Sequence, residues 1–174
     1  QNFKDLIIQV FKSNKKNKNE DPANFLGLIT RCKDEYFIKE FCDYYLSQGV
    51  DRIFILDDES NDKTIYKDVI KYEKVQIFFL DNVFKLTNSH QMSRVNQLYK
   101  KIKGNFKWMI SVDVDEFINV RKNPDNTIRK ELETTYKDVD CIKIPWIMMS
   151  SNRIRKSPPK ILQGITYRWN HSKR

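Results

Sequence analysis

The sequence predicts an α/β domain with a mainly parallel sheet flanked by helices, and three observations support this. Short apolar runs typical of buried strands alternate with segments whose apolar residues recur at helical spacing. The chain has 174 residues, 40% of them hydrophobic, which is enough for one domain with its own core. Acidic clusters follow two of the apolar runs, at the strand ends where ligands bind in such sheets.

The expected strands are apolar runs bounded by polar or turn-forming residues. In chain order they cover residues 25–30, 52–56, 75–80, 107–112 and 140–149. The last run contains Pro145, which cannot donate a hydrogen bond to a neighbouring strand, so we place it at an edge or a bulge.

The expected helices are defined by apolar spacing and by residues suited to helix ends. In chain order they lie between Asp34 and Gly49, between Ile65 and Tyr72, between Ser89 and Gly104, and over residues 127–136. Before the first strand, Phe3, Leu6, Ile7, Val10 and Phe11 also recur at helical spacing, which predicts an amphipathic N-terminal helix.

Composition excludes several classes of protein. No apolar run approaches the ~20 residues that a membrane helix needs, and the first residues lack the regions of a signal peptide. With four glycines, the chain has no glycine-rich phosphate loop, which argues against a dinucleotide-binding or P-loop enzyme. Cys32, Cys42 and Cys141 have no metal-binding spacing, and buried free thiols at the first two favour a reducing compartment such as the cytoplasm.

The net charge is +9, and basic residues concentrate in residues 12–18 and 153–160. Such a surface attracts phosphate-bearing ligands, anionic glycans or nucleic acid alike. The first segment has no aromatic side chain for base stacking, and the aromatic residues elsewhere have core-like spacing. A basic nucleic-acid-binding domain therefore stays an alternative and not the preferred interpretation.

The most informative motif is Val112-Asp113-Val114-Asp115-Glu116-Phe117, directly after the apolar run Trp108-Met109-Ile110-Ser111. Two carboxylates at the end of a buried strand are unfavourable unless a cation or hydrogen-bond donors meet them. A divalent cation carrying a diphosphate suits them, because Mg²⁺-like ions combine few carboxylates with substrate phosphates. The alternative is structural, since Asp after a strand often caps a helix or forms a turn.

Three strand ends form an ordered set. They are Thr30-Arg31-Cys32-Lys33-Asp34-Glu35, then Asp57-Asp58-Glu59-Ser60-Asn61-Asp62, then Trp108 to Phe117 with its Asp-x-Asp-Glu-Phe sequence. In this order they resemble the strand ends of the GT-A glycosyltransferases, especially the family-2-like and family-92-like groups. The likeness covers about residues 25–118, and the ordered set is more specific than any single motif.

The resemblance implies a Rossmann-like sheet and transfer of a sugar from a nucleotide sugar, usually linked to uridine diphosphate (UDP), with Mn²⁺ or Mg²⁺ on the diphosphate. Asp115 would ligate the metal directly, and Asp113 would bind the ribose or ligate through water. His171, in the sequence Tyr167-Arg168-Trp169-Asn170-His171, is a candidate third ligand.

The remaining residues implied by the resemblance would contact the nucleotide. Asp57 and Asp58 would accept hydrogen bonds from the base or ribose, and Arg31 and Arg94 would lie near the phosphates. Glu35 would orient Arg31 or touch the base. Each has a structural alternative: a turn around Asp57 and Asp58, a solvated charge at Arg94, and a surface pair between Arg31 and Glu35.

In this interpretation the chain is a single glycosyltransferase-like domain. Residues 1–23 form the N-terminal helix and basic loop, residues 24–118 the nucleotide-sugar-binding core, and residues 119–174 a partial acceptor-side region. Trp146, Met148 and Met149 line the acceptor site or pack in the core. No catalytic base stands out after the metal motif, and the acceptor part is expected to be short or missing. Either the chain is the donor-binding part of a longer protein, or its C-terminal elements were lost or left out.

Other functions remain open at this stage. A nucleotidyltransferase also uses carboxylates and Mg²⁺, but it favours a glycine-rich loop near the first strand, which residues 30–35 lack. A catalytically inactive glycosyltransferase-like domain could serve as a binding module. The acceptor, whether a glycan, protein or lipid, is not indicated by any motif.

Overall fold

The computed structural model describes residues 7–12, 22–79, 91–151 and 153–168 of the chain. Over these ranges the elements are β1 Ile7–Lys12, β2 Asn24–Cys32, α1 Ile38–Ser47, β3 Arg52–Asp57, β4 Val75–Phe79, α2 Gln91–Ile102, β5 Phe106–Ser111, α3 Ile128–Glu133, β6 Cys141–Pro145, β7 Met149–Ser150, α4 Ile161–Gly164 and β8 Tyr167–Arg168. Short 3₁₀ turns cover Lys63–Tyr66, Val69–Lys71 and Lys103–Asn105.

The larger sheet of the described residues has six strands in the order β4-β3-β2-β5-β1-β6. Strands β4, β3, β2 and β5 run parallel, with Gly27 opposite Arg52 on one side of β2 and opposite Met109 on the other. Strand β1 runs antiparallel to both β5 and β6. The predicted α/β class with a mainly parallel, helix-flanked sheet is confirmed, and the arrangement is consistent with a Rossmann-like fold.

Two apolar layers cover the faces of the sheet. Helix α1 buries Phe41 and Tyr45 in a cluster that contains Leu28 of β2, while α2 buries Leu98 in a second cluster with Ile29. Consecutive residues of β2 thus face opposite layers, as the pleat of a strand requires. A parallel strand buried on both faces reads as a continuous apolar run, which is why these strands are visible in the sequence.

The prediction of an amphipathic N-terminal helix in residues 1–23 is wrong where the structure describes this segment. Ile7–Lys12 is a strand between β5 and β6, with Val10 opposite Ile110 and Ile142. Isoleucine and valine favour strands, and the edge of β5 offers a full row of backbone hydrogen-bonding groups. Of the predicted basic loop, only Lys12 lies within the described residues.

Several predicted helix boundaries also need correction. Helix α1 begins at Ile38 after Phe37 and is not capped by Asp34, although Gly49, at φ 87°, follows its end as predicted. The helix predicted between Ile65 and Tyr72 consists of the two 3₁₀ turns. The helix predicted over residues 127–136 is shorter, with Thr127 as its cap. The proposed cap Ser89 lies outside the described residues.

The strand predicted over residues 140–149 is shorter than expected. It ends at Pro145 as β6, which lies at the sheet edge where a proline is tolerated. Met149 instead begins β7, which pairs with β8 in a separate ribbon. The large sheet takes strands from all three predicted parts of the chain, because β1 and β6 extend it beyond β5. No helix in the described ranges is long and apolar enough to cross a bilayer.

Candidate functional site

The three strand ends singled out in the sequence leave the sheet side by side. Strand β2 lies between β3 and β5, and Cys32 is in register with Asp57. Past the end of β5, the Val112 N–H still donates to the carbonyl of Ile29 over 3.3 Å. Because neighbouring strands are about 4.8 Å apart, the loops that follow them meet at one edge of the sheet.

The first ion pair of the site joins β2 to the acidic motif. The guanidinium of Arg31 donates to Asp113 Oδ1 over 3.2 Å, and about half of the Asp113 side chain remains exposed. The charge of Arg31 is thus held against Asp113, which the sequence interpretation had placed near the ribose or the metal. The structural alternative for Arg31 was a surface pair with Glu35, whereas this contact joins Arg31 to Asp113.

A second ion pair joins α2 to the loop after β3. Arg94 Nη1 donates to Asp58 Oδ1 over 2.9 Å, and both side chains are less than a quarter exposed. Arg94 Nε is buried and has no hydrogen bond among the described residues. Arg94 is therefore directed at the site edge and is not a solvated helix charge.

Asp57 is buried and serves the loop that follows it. Its Oδ1 accepts hydrogen bonds from the Tyr66 hydroxyl at 2.7 Å and from the Ser60 N–H at 3.3 Å. Its Oδ2 has no hydrogen bond among the described residues, and Lys63 Nζ lies 3.9 Å away. The structural alternative, a turn held by side-chain bonds, therefore accounts for Asp57, whereas Asp58 is the carboxylate of this pair that lies at the site.

Asp34 joins the loops after β2 and β3. Its carboxylate accepts hydrogen bonds from the backbone and side-chain nitrogens of Asn61, both at 2.7 Å, and from the Asp62 N–H at 3.1 Å. These bonds, led by that from Asp62, lower the pKa of Asp34. The residue adopts φ 54°, a conformation that Asp tolerates better than most residues. Sequence reasoning missed this role because its partner segment is 27 residues away.

The acidic loop after β5 is held by two tyrosines of α1. The Tyr45 hydroxyl donates to the carbonyl of Glu116 at 2.9 Å and accepts from the Ile118 N–H at 3.1 Å. The Tyr44 hydroxyl donates to the carbonyl of Ile118 at 2.6 Å. In the sequence both tyrosines have the spacing of core residues on the inner face of a helix, and nothing in that spacing distinguishes the two roles.

Glu116 and Asp113 hydrogen-bond each other within the same loop. Its carboxylate accepts a hydrogen bond from the Asp113 N–H at 2.9 Å, while its own N–H donates to the Asp113 carbonyl at 3.0 Å. The side chain of Trp146 also hydrogen-bonds Glu116, and its ring packs against the core. Of the two roles considered for Trp146, packing in the core is therefore observed, whereas Met149 is exposed.

Negative charge accumulates at this edge. Partial desolvation raises the pKa of Asp115, and the charge of Asp113 raises it further. Desolvation likewise raises the pKa of Glu35, with added contributions from Asp115 and Asp34. Ionising all these carboxyl groups is therefore unfavourable in the protein alone, and a bound cation would relieve the repulsion.

The described residues do not by themselves form a complete metal cage. Nowhere in the described ranges do three or more His, Cys, Asp or Glu side chains stand together as ligands for one ion. Asp113 and Asp115 could supply carboxylate oxygens, which suit Mg²⁺ or Mn²⁺. His171, the predicted third ligand, lies outside the described residues.

The segment before β8 is attached to α1 beside this edge. Glu40 accepts hydrogen bonds from the N–H groups of Ile161, at 2.6 Å, and Leu162, at 3.2 Å. The Tyr36 hydroxyl donates to the carbonyl of Pro158 at 2.8 Å. The part of the chain assigned to an acceptor side thus lies next to the loop that carries Glu35.

Comparison with known proteins returned no match: no family, curated protein or solved structure matches this chain. The function must therefore be inferred from the chemistry of the site and from the ordered sequence motifs.

Proposed function

We propose that this chain binds a nucleotide sugar, most readily a UDP sugar, through Mn²⁺ or Mg²⁺ and acts in a glycosyltransferase. The observation that carries the proposal is the placement of Asp113 and Asp115 at the sheet edge where Arg31 and Arg94 also lie. Carboxylates for a cation and guanidinium groups for phosphate are the complementary parts that a metal–diphosphate complex needs.

Asp115 and Asp113 are the residues that would hold the ion. Two carboxylates leave most positions of a six-coordinate ion open, and diphosphate oxygens and water are suited to fill them. When bound, such an ion neutralises the negative charge that develops on a leaving diphosphate. The incomplete ligand set of the described residues therefore favours metal that binds together with the nucleotide.

The Arg31–Asp113 pair gives a reason for this coupling. In the protein alone, the guanidinium neutralises the carboxylate across 3.2 Å. Arrival of a metal–diphosphate complex would let Asp113 turn to the cation and Arg31 to a phosphate. Neither charge would then be left unpaired, which would be costly at a partly desolvated site.

Base and ribose contacts are assigned to Asp58 and Glu35. Asp58 is mostly buried and is held by Arg94, so its second oxygen has a defined direction. Asp57 and Asp34 position the loop that carries Asp58, because their hydrogen bonds fix residues 60–62. Asp57 would thus position Asp58, whereas the resemblance implies that Asp57 itself contacts the base or ribose.

The test is calorimetric titration of UDP with and without Mn²⁺. We expect measurable binding only with the ion, and we expect Asp115→Asn to weaken it by about 2–4 kcal/mol, because an anionic ligand to the metal is lost. Asp125→Asn removes an equal charge at an exposed turn and is expected to bind as the wild type does. Undiminished metal-dependent binding by a folded Asp115→Asn variant would contradict the assignment.

Products distinguish the reactions that share this chemistry. A glycosyltransferase releases UDP from a UDP sugar, whereas a nucleotidyltransferase releases pyrophosphate from UTP and a sugar phosphate. UDP should also outcompete ADP at equal Mn²⁺, because a site built for specific hydrogen bonds disfavours a base that leaves them unmade. Equal competition by UDP and ADP would indicate a general phosphate site. Binding of a UDP sugar with no release of UDP would indicate a binding module.

A further inference from the structure

The C-terminal part of the sequence contains basic residues and no acidic ones. All 23 Asp and Glu residues of the sequence precede Cys141. Among the described residues from 147 onward there are five basic residues, all exposed: Arg153, Arg155, Lys156, Lys160 and Arg168. With no carboxylate of their own segment to neutralise them, these residues form a surface suited to a polyanion.

The same segment exposes large apolar side chains among the basic ones. Five such residues are between 41% and 58% exposed: Ile147, Met149, Ile154, Leu162 and Tyr167. Met149 lies opposite Arg168 across the β7–β8 ribbon. Ile154 is flanked in sequence by Arg153 and Arg155. Single exposed apolar residues are ordinary, but their concentration beside exposed basic residues indicates a surface that contacts something apolar and anionic at once.

This C-terminal surface, made of residues 147–151 and 153–168, is fixed to the domain. Glu40 of α1 accepts the hydrogen bonds of Ile161 and Leu162, and Tyr36 binds the carbonyl of Pro158. The surface is therefore displayed in a defined orientation relative to the acidic edge of the sheet.

We propose that the C-terminal surface docks on a membrane whose leaflet carries anionic lipids. Basic residues contact the headgroups while aliphatic side chains enter the boundary of the acyl chains, which is how peripheral proteins bind such membranes. Nucleic acid suits the surface less well, because single strands are held by stacked aromatic rings. Four of its five exposed apolar residues are not aromatic. The proposal is independent of the nucleotide site.

The test is co-sedimentation of the whole chain with vesicles of neutral phosphatidylcholine and with vesicles that also contain phosphatidylserine. We expect binding to the anionic vesicles only. Arg155→Gln, Lys156→Gln and Lys160→Gln together should weaken it roughly a hundred-fold, since each basic residue near a leaflet contributes about five-fold. The matched control changes Lys67, Lys71 and Lys74 to Gln, three exposed lysines next to β4 at the other edge of the sheet.

A second variant tests the apolar contribution. Met149→Ser with Ile154→Ser keeps every charge, and we expect it to lose about ten-fold or more of the binding to anionic vesicles. Equal binding of the wild type to both vesicles, or to neither, would overturn the proposal. Undiminished binding by the Met149→Ser, Ile154→Ser variant would also overturn it, as would a loss of binding in the lysine control equal to that of the basic variant. Either result would indicate general attraction to any polyanion, including RNA. Circular dichroism of each variant verifies that it is folded.

Discussion

Replacing Tyr66 by phenylalanine tests how the candidate site is supported. The Tyr66 hydroxyl donates to Asp57 Oδ1 over 2.7 Å, and both residues are 1% exposed. Burial raises the pKa of Tyr66, so the hydroxyl keeps its proton and remains a donor. The ring of phenylalanine keeps the packing against Phe79. The change removes the hydrogen bond to Asp57, together with the longer contact of the hydroxyl with Ser60 Oγ at 3.3 Å and its hydrogen bond with the Cys32 side chain.

The expected loss of stability is large for a substitution that removes one oxygen atom. A hydrogen bond to a charged group contributes about 1.5–3 kcal/mol, and a buried partner left unsatisfied adds to the loss. Asp57 Oδ2 already has no hydrogen bond among the described residues, and only the 3.3 Å bond from the Ser60 N–H remains to Oδ1. We therefore expect Tyr66→Phe to lower the free energy of unfolding by about 2–3 kcal/mol.

Urea unfolding measures this loss through a lower midpoint at an unchanged slope. The matched control is Tyr36→Phe, whose hydroxyl donates over 2.8 Å to the carbonyl of Pro158 but is exposed. It should cost less than about 1 kcal/mol. Equal losses in the two variants would refute the reasoning, as would additivity of Tyr66→Phe and Asp57→Asn, because residues in direct contact should be coupled.

Two further predictions concern the support of α1 and β2. Gly49→Ala should lower the free energy of unfolding by about 1–3 kcal/mol. Gly49 has φ 87°, and a Cβ there would lie 2.6 Å from Arg129 Cβ. The control in the same urea assay is Gly104→Ala, because a Cβ at Gly104 meets open space. Burial opposes the charge of Asp51, but two N–H groups of β2 and Arg129 outweigh it and lower the pKa of its carboxyl. The stabilisation by Asp51 is thus complete above its ordinary pKa of about 4 and is lost as pH falls through the lower folded value. The difference in unfolding free energy between wild type and Asp51→Asn should shrink below that pH, and a constant difference would contradict the assignment.

The sequence alone determined the strands of the parallel core and the position of the acidic motif. Strands β2, β3 and β5 are buried on both faces and therefore read as continuous apolar runs, whatever their neighbours are. Because parallel strands end at the same edge of a sheet, the placement of Asp58 and Asp113 at one edge also followed from the pattern. Local chemistry was enough for these features.

Strand order and partner choice required the tertiary structure. Ile7–Lys12 carries a pattern compatible with a helix or a strand, and the free edge of β5 decided between them. Arg31 and Asp113 are 82 residues apart, and no local signal distinguishes that pair from one between Arg31 and Glu35. Asp57 and Asp58 are adjacent and chemically identical, yet Asp57 accepts a hydrogen bond from Tyr66 in the interior, whereas Asp58 pairs with Arg94. Their roles differ because hydrogen bonds and burial depend on which distant residues the fold brings within about 3 Å.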